Sequence, residues 1–108
     1  MAEPLDVLVV YVPSASTDVV LAALFGAGAG TIGDYRECAY VSSGRGQFRP
    51  VAGASPTIGA VDELQHVEED RVEVVLPRAR RAEVVAALRA AHPYEEPVFH
   101  VIATAPVD

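Results

Sequence analysis

The 108-residue sequence has no lysine, no tryptophan and a single cysteine. One thiol, Cys38, cannot form an internal disulfide, so a reducing cytoplasm is the expected compartment. No apolar run reaches the roughly 18 residues that a membrane helix needs, and no basic segment near Met1 leads into a signal-type stretch. Positive charge is scarce: eight arginines face 15 acidic residues, for a net charge of −7. Nucleic-acid binders carry a basic face, whereas six acids crowd between Asp62 and Glu73 here. Neither a nucleic acid nor a membrane is an expected partner. A Ser-His-Asp signature, a Walker loop and a CxxC pair are all missing.

What remains is a chain with 51% hydrophobic residues, enough for one small two-layer domain over residues 1–108. Leu5–Val12 reads as a strand, apolar except for Asp6 and stopped by Pro13. Ser14, Ser16 and Thr17 compete as N-caps for a helix whose stripe is Val20, Ala23, Leu24 and Ala27. Gly26, Gly28 and Gly30 end it. A second strand fits Arg36–Ser43, and residues 44–61, rich in glycine and proline, read as an irregular excursion. A third strand runs from His66 to Leu76, with Val72, Val74 and Leu76 on one face and Arg71, Glu73 and Val75 on the other. A helix over Ala79–Ala91 ends at His92-Pro93, because a residue before proline resists helical geometry. Val98–Thr104 closes the domain as a strand.

Two strand–helix–strand halves predict an α+β, ferredoxin-like βαββαβ antiparallel sheet with both helices on one face. The first strand is apolar on both faces: Val7, Val9 and Tyr11 on one, Leu8, Val10 and Val12 on the other. Two helices cover only one face of such a sheet, so a homo-oligomer is expected to cover the second. A charge at Val10 is the corresponding test of that interface.

Three segments carry chemistry. Gly28-Ala29-Gly30-Thr31-Ile32-Gly33 matches the dinucleotide pattern but follows a helix, where the dipole has the wrong sign for phosphate. In Gly44-Arg45-Gly46-Gln47-Phe48-Arg49-Pro50, Arg45 and Arg49 flank the Gly46 amide and suit an anion; the plainer reading is a hairpin over Phe48. His92-Pro93-Tyr94-Glu95-Glu96-Pro97 joins an imidazole to two carboxylates, a donor set for a zinc-like divalent metal. One segment offers too few ligands, so His66 or His100, or another subunit, must complete the site. The metal candidates are thus His92, Glu95, Glu96 and His100, and the ligand-binding candidates are Arg45, Gly46, Arg49 and Tyr94. The plainer reading of this segment is a proline-bracketed turn.

Those glycine, arginine and His-Pro-Tyr-Glu-Glu-Pro motifs, with Gly53-Ala54-Ser55-Pro56-Thr57-Ile58-Gly59 between them, come in an order that resembles a known domain. It is the insert domain of the Nif-three-like dinuclear-metal proteins, the YqfO type. The resemblance covers nearly the whole chain and implies the fold of the PII signalling and CutA divalent-cation-tolerance proteins, which are trimers. The metal-binding lobes that flank the insert in that family lie outside this sequence, so a stand-alone module without a dinuclear centre is expected. Where such inserts often have aspartate, His100 stands here. The first functional expectation is a non-enzymatic trimeric module that binds a small ligand or divalent metal, or regulates a partner. A metal-dependent enzyme with an inter-subunit site and an oligomerisation unit for a separate Nif-three-like core are the alternatives.

Overall fold

Strand alternation in one central element sets the layers. β1 (Leu5–Pro13) turns Leu8, Val10 and Val12 toward the helices, all fully buried, and Val7, Val9 and Tyr11 to the opposite face. The protein, seen as a computed structural model, is described over residues 3–107. After Pro13 a 3₁₀ turn (Ser14–Ser16) enters α1 (Thr17–Gly26). Then follow β2 (Tyr40–Phe48), β3 (Gln65–Pro77), a second 3₁₀ turn (Arg78–Arg80), α2 (Arg81–Ala91) and β4 (Phe99–Ala103). The sheet order is β2-β3-β1-β4 and each neighbouring pair is antiparallel. This is the expected ferredoxin-like α+β fold.

Val72, Val74 and Leu76 of β3 join the β1 trio against Val20 and Leu24 of α1 and Val84 and Leu88 of α2. Each such buried side chain stabilises the fold by about 1.5–3 kcal/mol. Val10 pairs with Val72 and lies inside this core. It therefore cannot face a neighbouring subunit. The uncovered face carries Val7, Val9 and Tyr11, with Val75, Glu73 and Arg71 opposite them on β3 and Ile102 and His100 beside them on β4.

The second strand differs from its expected span. Residues 36–39 stay outside the sheet, where Glu37 takes φ 58° and the Cys38 amide donates to the Gly30 carbonyl (2.9 Å). The strand instead continues through Gly44–Phe48, so the irregular connection is residues 49–64. Composition points to a loop there, but β3 extends back to Gln65, and its edge away from β1 pairs Gly44–Phe48 with Glu69–Gln65. The described residues extend over 51 × 23 × 22 Å.

Two buried carboxylates flank the core on its helix side. Asp6, fully buried, accepts from Arg78 Nε (2.8 Å) and Arg81 Nε (2.7 Å). Asp70 accepts from Thr17 Oγ1 (2.6 Å), Ser14 Oγ (3.1 Å) and Ser43 Oγ (3.1 Å). Two of the three hydroxyls expected to cap α1, those of Ser14 and Thr17, thus serve Asp70, and no side chain caps that helix. The Arg81 guanidinium, helped by Arg78, holds the Asp6 carboxyl below its ordinary 3.8 despite burial. The Thr17 hydroxyl, with Ser14 and Ser43, does the same for Asp70. A carboxyl lowered by folding contributes stability above its unfolded value and loses it as pH falls through the folded value. The melting temperature should therefore hold from pH 7 to about 5 and drop below about pH 4. Asp70→Asn should melt lower at pH 7 and lose less on acidification; an unchanged acid slope in thermal melts would contradict this role.

Candidate functional site

The connection 49–64 folds back over the sheet end and meets the His92–Pro97 loop. Both oxygens of Glu95 face the Ser55 amide, which donates to them at 3.1 and 3.3 Å. The Thr57 hydroxyl donates to the Pro93 carbonyl at 2.7 Å. These contacts hold open a cleft of about 500 Å³. Its apolar lining includes Tyr11, Phe48, Pro50, Ile58, Tyr94 and Val98. Glu69, Glu95, Glu96 and Arg49 supply its charges.

Tyr94 is the centre of the wall. Its ring packs edge-on against Phe48 (centroids 5.7 Å apart) and tilted against His92 (5.1 Å). Its hydroxyl donates to Glu69 Oε2 at 3.0 Å. Burial, and then the Glu69 carboxylate, push the Tyr94 hydroxyl above the ordinary tyrosine value, so it stays a donor. Gly46 makes room for this pair. A Cβ there would run into the Glu69 side chain, which lies across the strand.

His92 is buried and structural. The Tyr94 amide donates to its Nδ1 (3.1 Å), so Nε2 carries the proton and donates to the Tyr11 carbonyl (2.7 Å). Neither ring nitrogen keeps a free lone pair for a metal. Glu95 holds Ser55, Glu96 stands exposed on the rim, and His100 sits exposed beside Val9 on the uncovered sheet face. Among the described residues, no three histidine, cysteine, aspartate or glutamate side chains form a group that could hold a metal ion. The four residues expected to bind metal are not brought together within one chain.

Of the residues expected to bind a ligand, Gly46, Arg49 and Tyr94 line the cleft. Arg45 does not; it is exposed on β2 opposite Glu68. Sequence reading missed Tyr11, Phe48 as a wall and Glu69. The signal for Glu69 lay in Gly46, a glycine inside a strand, which marks a close approach by another group. The glycine run at 28–33 closes α1, with the Ala29 amide returning to the Leu24 carbonyl (3.0 Å), and forms no phosphate loop.

No family model matches the chain. Sequence comparison finds the GTP cyclohydrolase 1 type 2 homolog of Mycobacterium tuberculosis, 55% identical over 105 residues, spanning 97% of this chain and 28% of that protein. A Bacillus cereus protein related to NIF3 superposes with a TM-score of 0.83 at 37% identity, over 98% of this chain and 27% of the other. This chain is related to one domain of the NIF3-like proteins. It spans a little over a quarter of the length of these relatives. The fold itself is shared with the periplasmic divalent cation tolerance protein CutA of Archaeoglobus fulgidus (TM-score 0.65, 16% identity, 96% of this chain and 84% of that one). It is also shared with Bacillus subtilis GlnK in complex with ATP (TM-score 0.57, 12% identity, 94% and 84%). The fold of this chain is thus CutA/PII-like, as expected. Among the described residues, no helix is long and apolar enough to cross a membrane.

The two hydrogen bonds of His92 make a direct prediction. His92→Ala should lower the unfolding free energy by about 1–3 kcal/mol, because the Tyr11 carbonyl and Tyr94 amide lose their partner. Zinc should change the melting temperature of wild type and variant alike. A zinc stabilisation present in wild type and lost in His92→Ala would restore the imidazole as a ligand.

Proposed function

We propose that this domain is a non-enzymatic binding module of CutA/PII-like fold, which takes a small molecule in the cleft and self-associates through its uncovered sheet face. The observation that carries the first half is the cleft itself: an apolar, aromatic-walled hollow already shaped by the Glu95–Ser55 and Thr57–Pro93 contacts. Concave, largely apolar sites with a few fixed polar groups are what small ligands occupy. The activity in the name of the mycobacterial relative belongs to a protein of which this chain spans 28%. Three carboxylates around this cleft would repel phosphates such as those of the ATP in the GlnK complex.

The second half rests on the uncovered face. Val7, Val9, Val75 and Ile102 form an apolar band there, and Ile102 is 54% exposed in the single chain. A second and third copy would cover it, making a trimer. Light scattering should give a mass near three times 11.4 kDa. Ile102→Asp, at an exposed position of that face, should lower that mass while keeping the fold, whereas Val10→Asp should unfold the chain by placing a charge in the core. A folded wild-type monomer at micromolar concentration would defeat the self-association.

For the cleft, a fragment library screened by amide NMR should yield ligands that shift Ser55, Glu69 and Tyr94 together. A library in which no compound moves these amides would overturn the binding reading.

A further inference from the structure

The charges around the cleft select among ligands, and they point away from the anion that Arg45 and Arg49 suggested. Three carboxylates, Glu69, Glu95 and Glu96, line it against one guanidinium, Arg49. Among the described residues, no ion pair ties Arg49 to any of the three. Glu95 is spent on the Ser55 amide. Glu69 is fixed but not exhausted: Tyr94 engages Oε2, while Oε1 lies over Gly46, itself part of the cleft wall. The rings of Tyr11, Phe48 and Tyr94 line the same cleft. A fixed carboxylate oxygen in an aromatic-lined cleft is what a planar cation uses, through a charge-assisted hydrogen bond and cation–π attraction. A hard metal ion would need several converging oxygens instead.

Resting on the reading of the cleft as a ligand site, we propose that it is selective for organic cations: planar amidinium or guanidinium groups carried on an apolar body. The cationic group lies at Glu69 Oε1, and the body lies against the aromatic and proline wall. Glu96, exposed on the rim, adds attraction for a second positive charge or for the approach of the first.

Three probes of one shape separate charge from shape: benzamidinium, benzamide and benzoate, titrated against the full chain at pH 7.5 in low salt and followed by amide NMR. Benzamidinium should move the Glu69 and Tyr94 amides and bind about tenfold tighter than benzamide, with benzoate weakest. Glu69→Gln should remove most of that preference yet leave benzamide binding within about twofold. Glu96→Gln, at an exposed position, should reduce it less and lose its effect in 0.5 M salt. Benzamide or benzoate binding in the cleft as tightly as benzamidinium would overturn the cation selectivity and leave the cleft a ligand site. If none of the three binds while other fragments do, the cation class also fails. If no compound of any kind reaches these amides, the underlying reading fails with it.

Discussion

The central β1–β3 ladder must bury a carboxylate near each end of its helix-facing side, and the way each is satisfied organises the molecule. Asp6 pairs across the ladder with Leu76, and Asp70 with Val12. The arginines that begin the second helix answer the aspartate of the first half. The hydroxyls that begin the first helix answer the aspartate of the second. Each half therefore supplies hydrogen-bond partners to the buried carboxylate of the other, and displacing the start of either helix strips a carboxylate of partners it needs while buried. The same ladder builds the cleft. Because successive residues of a strand point to opposite faces, burying Asp70 turns Glu69 to the uncovered side, where Tyr94 meets it. Burying Val12 likewise leaves the neighbouring Tyr11 to line the cleft with its side chain and to receive His92 on its carbonyl.

Much of the fold was legible because its signals are local and strong. The apolar periodicity of the second helix, the strands ended by Pro13 and Pro77, and the alternation through Leu76 specify elements that packing then confirms. The two halves also share a sequence pattern. Asp6, Val10, Pro13, Val20 and Leu24 recur at one constant offset as Asp70, Val74, Pro77, Val84 and Leu88. That internal repeat announces the two halves and marks the paired aspartates. The limits of β2 were not legible, since Gly44–Phe48 reads as a loop until a partner strand is known. Val10 was assigned to the wrong face for a related reason: with both faces of β1 apolar, only the position of the helices tells inside from outside.

The candidate site was legible as residues but not as chemistry. His92, Tyr94 and Glu95 do sit together, yet the imidazole spends both nitrogens on backbone groups and Glu95 clasps Ser55. Their work is to shape a hollow. The groups that give that hollow its character, Tyr11, Phe48 and Glu69, come from three strands, and no sequence spacing joins them. The likeness to NIF3-like proteins agrees with the fold throughout, while the ligand must be argued from the acidic, aromatic lining.

The cleft is held in shape before any ligand arrives. Hydrogen–deuterium exchange resolved to single amides tests this directly in the unliganded protein. The Ser55 amide, bound to Glu95, and the Tyr94 amide, bound to His92 Nδ1, should exchange markedly slower than those of Ala52 and Gly53 in the same connection. If Ser55 and Tyr94 exchange as fast as these exposed neighbours, the clasp does not hold in solution and the preformed cleft is contradicted.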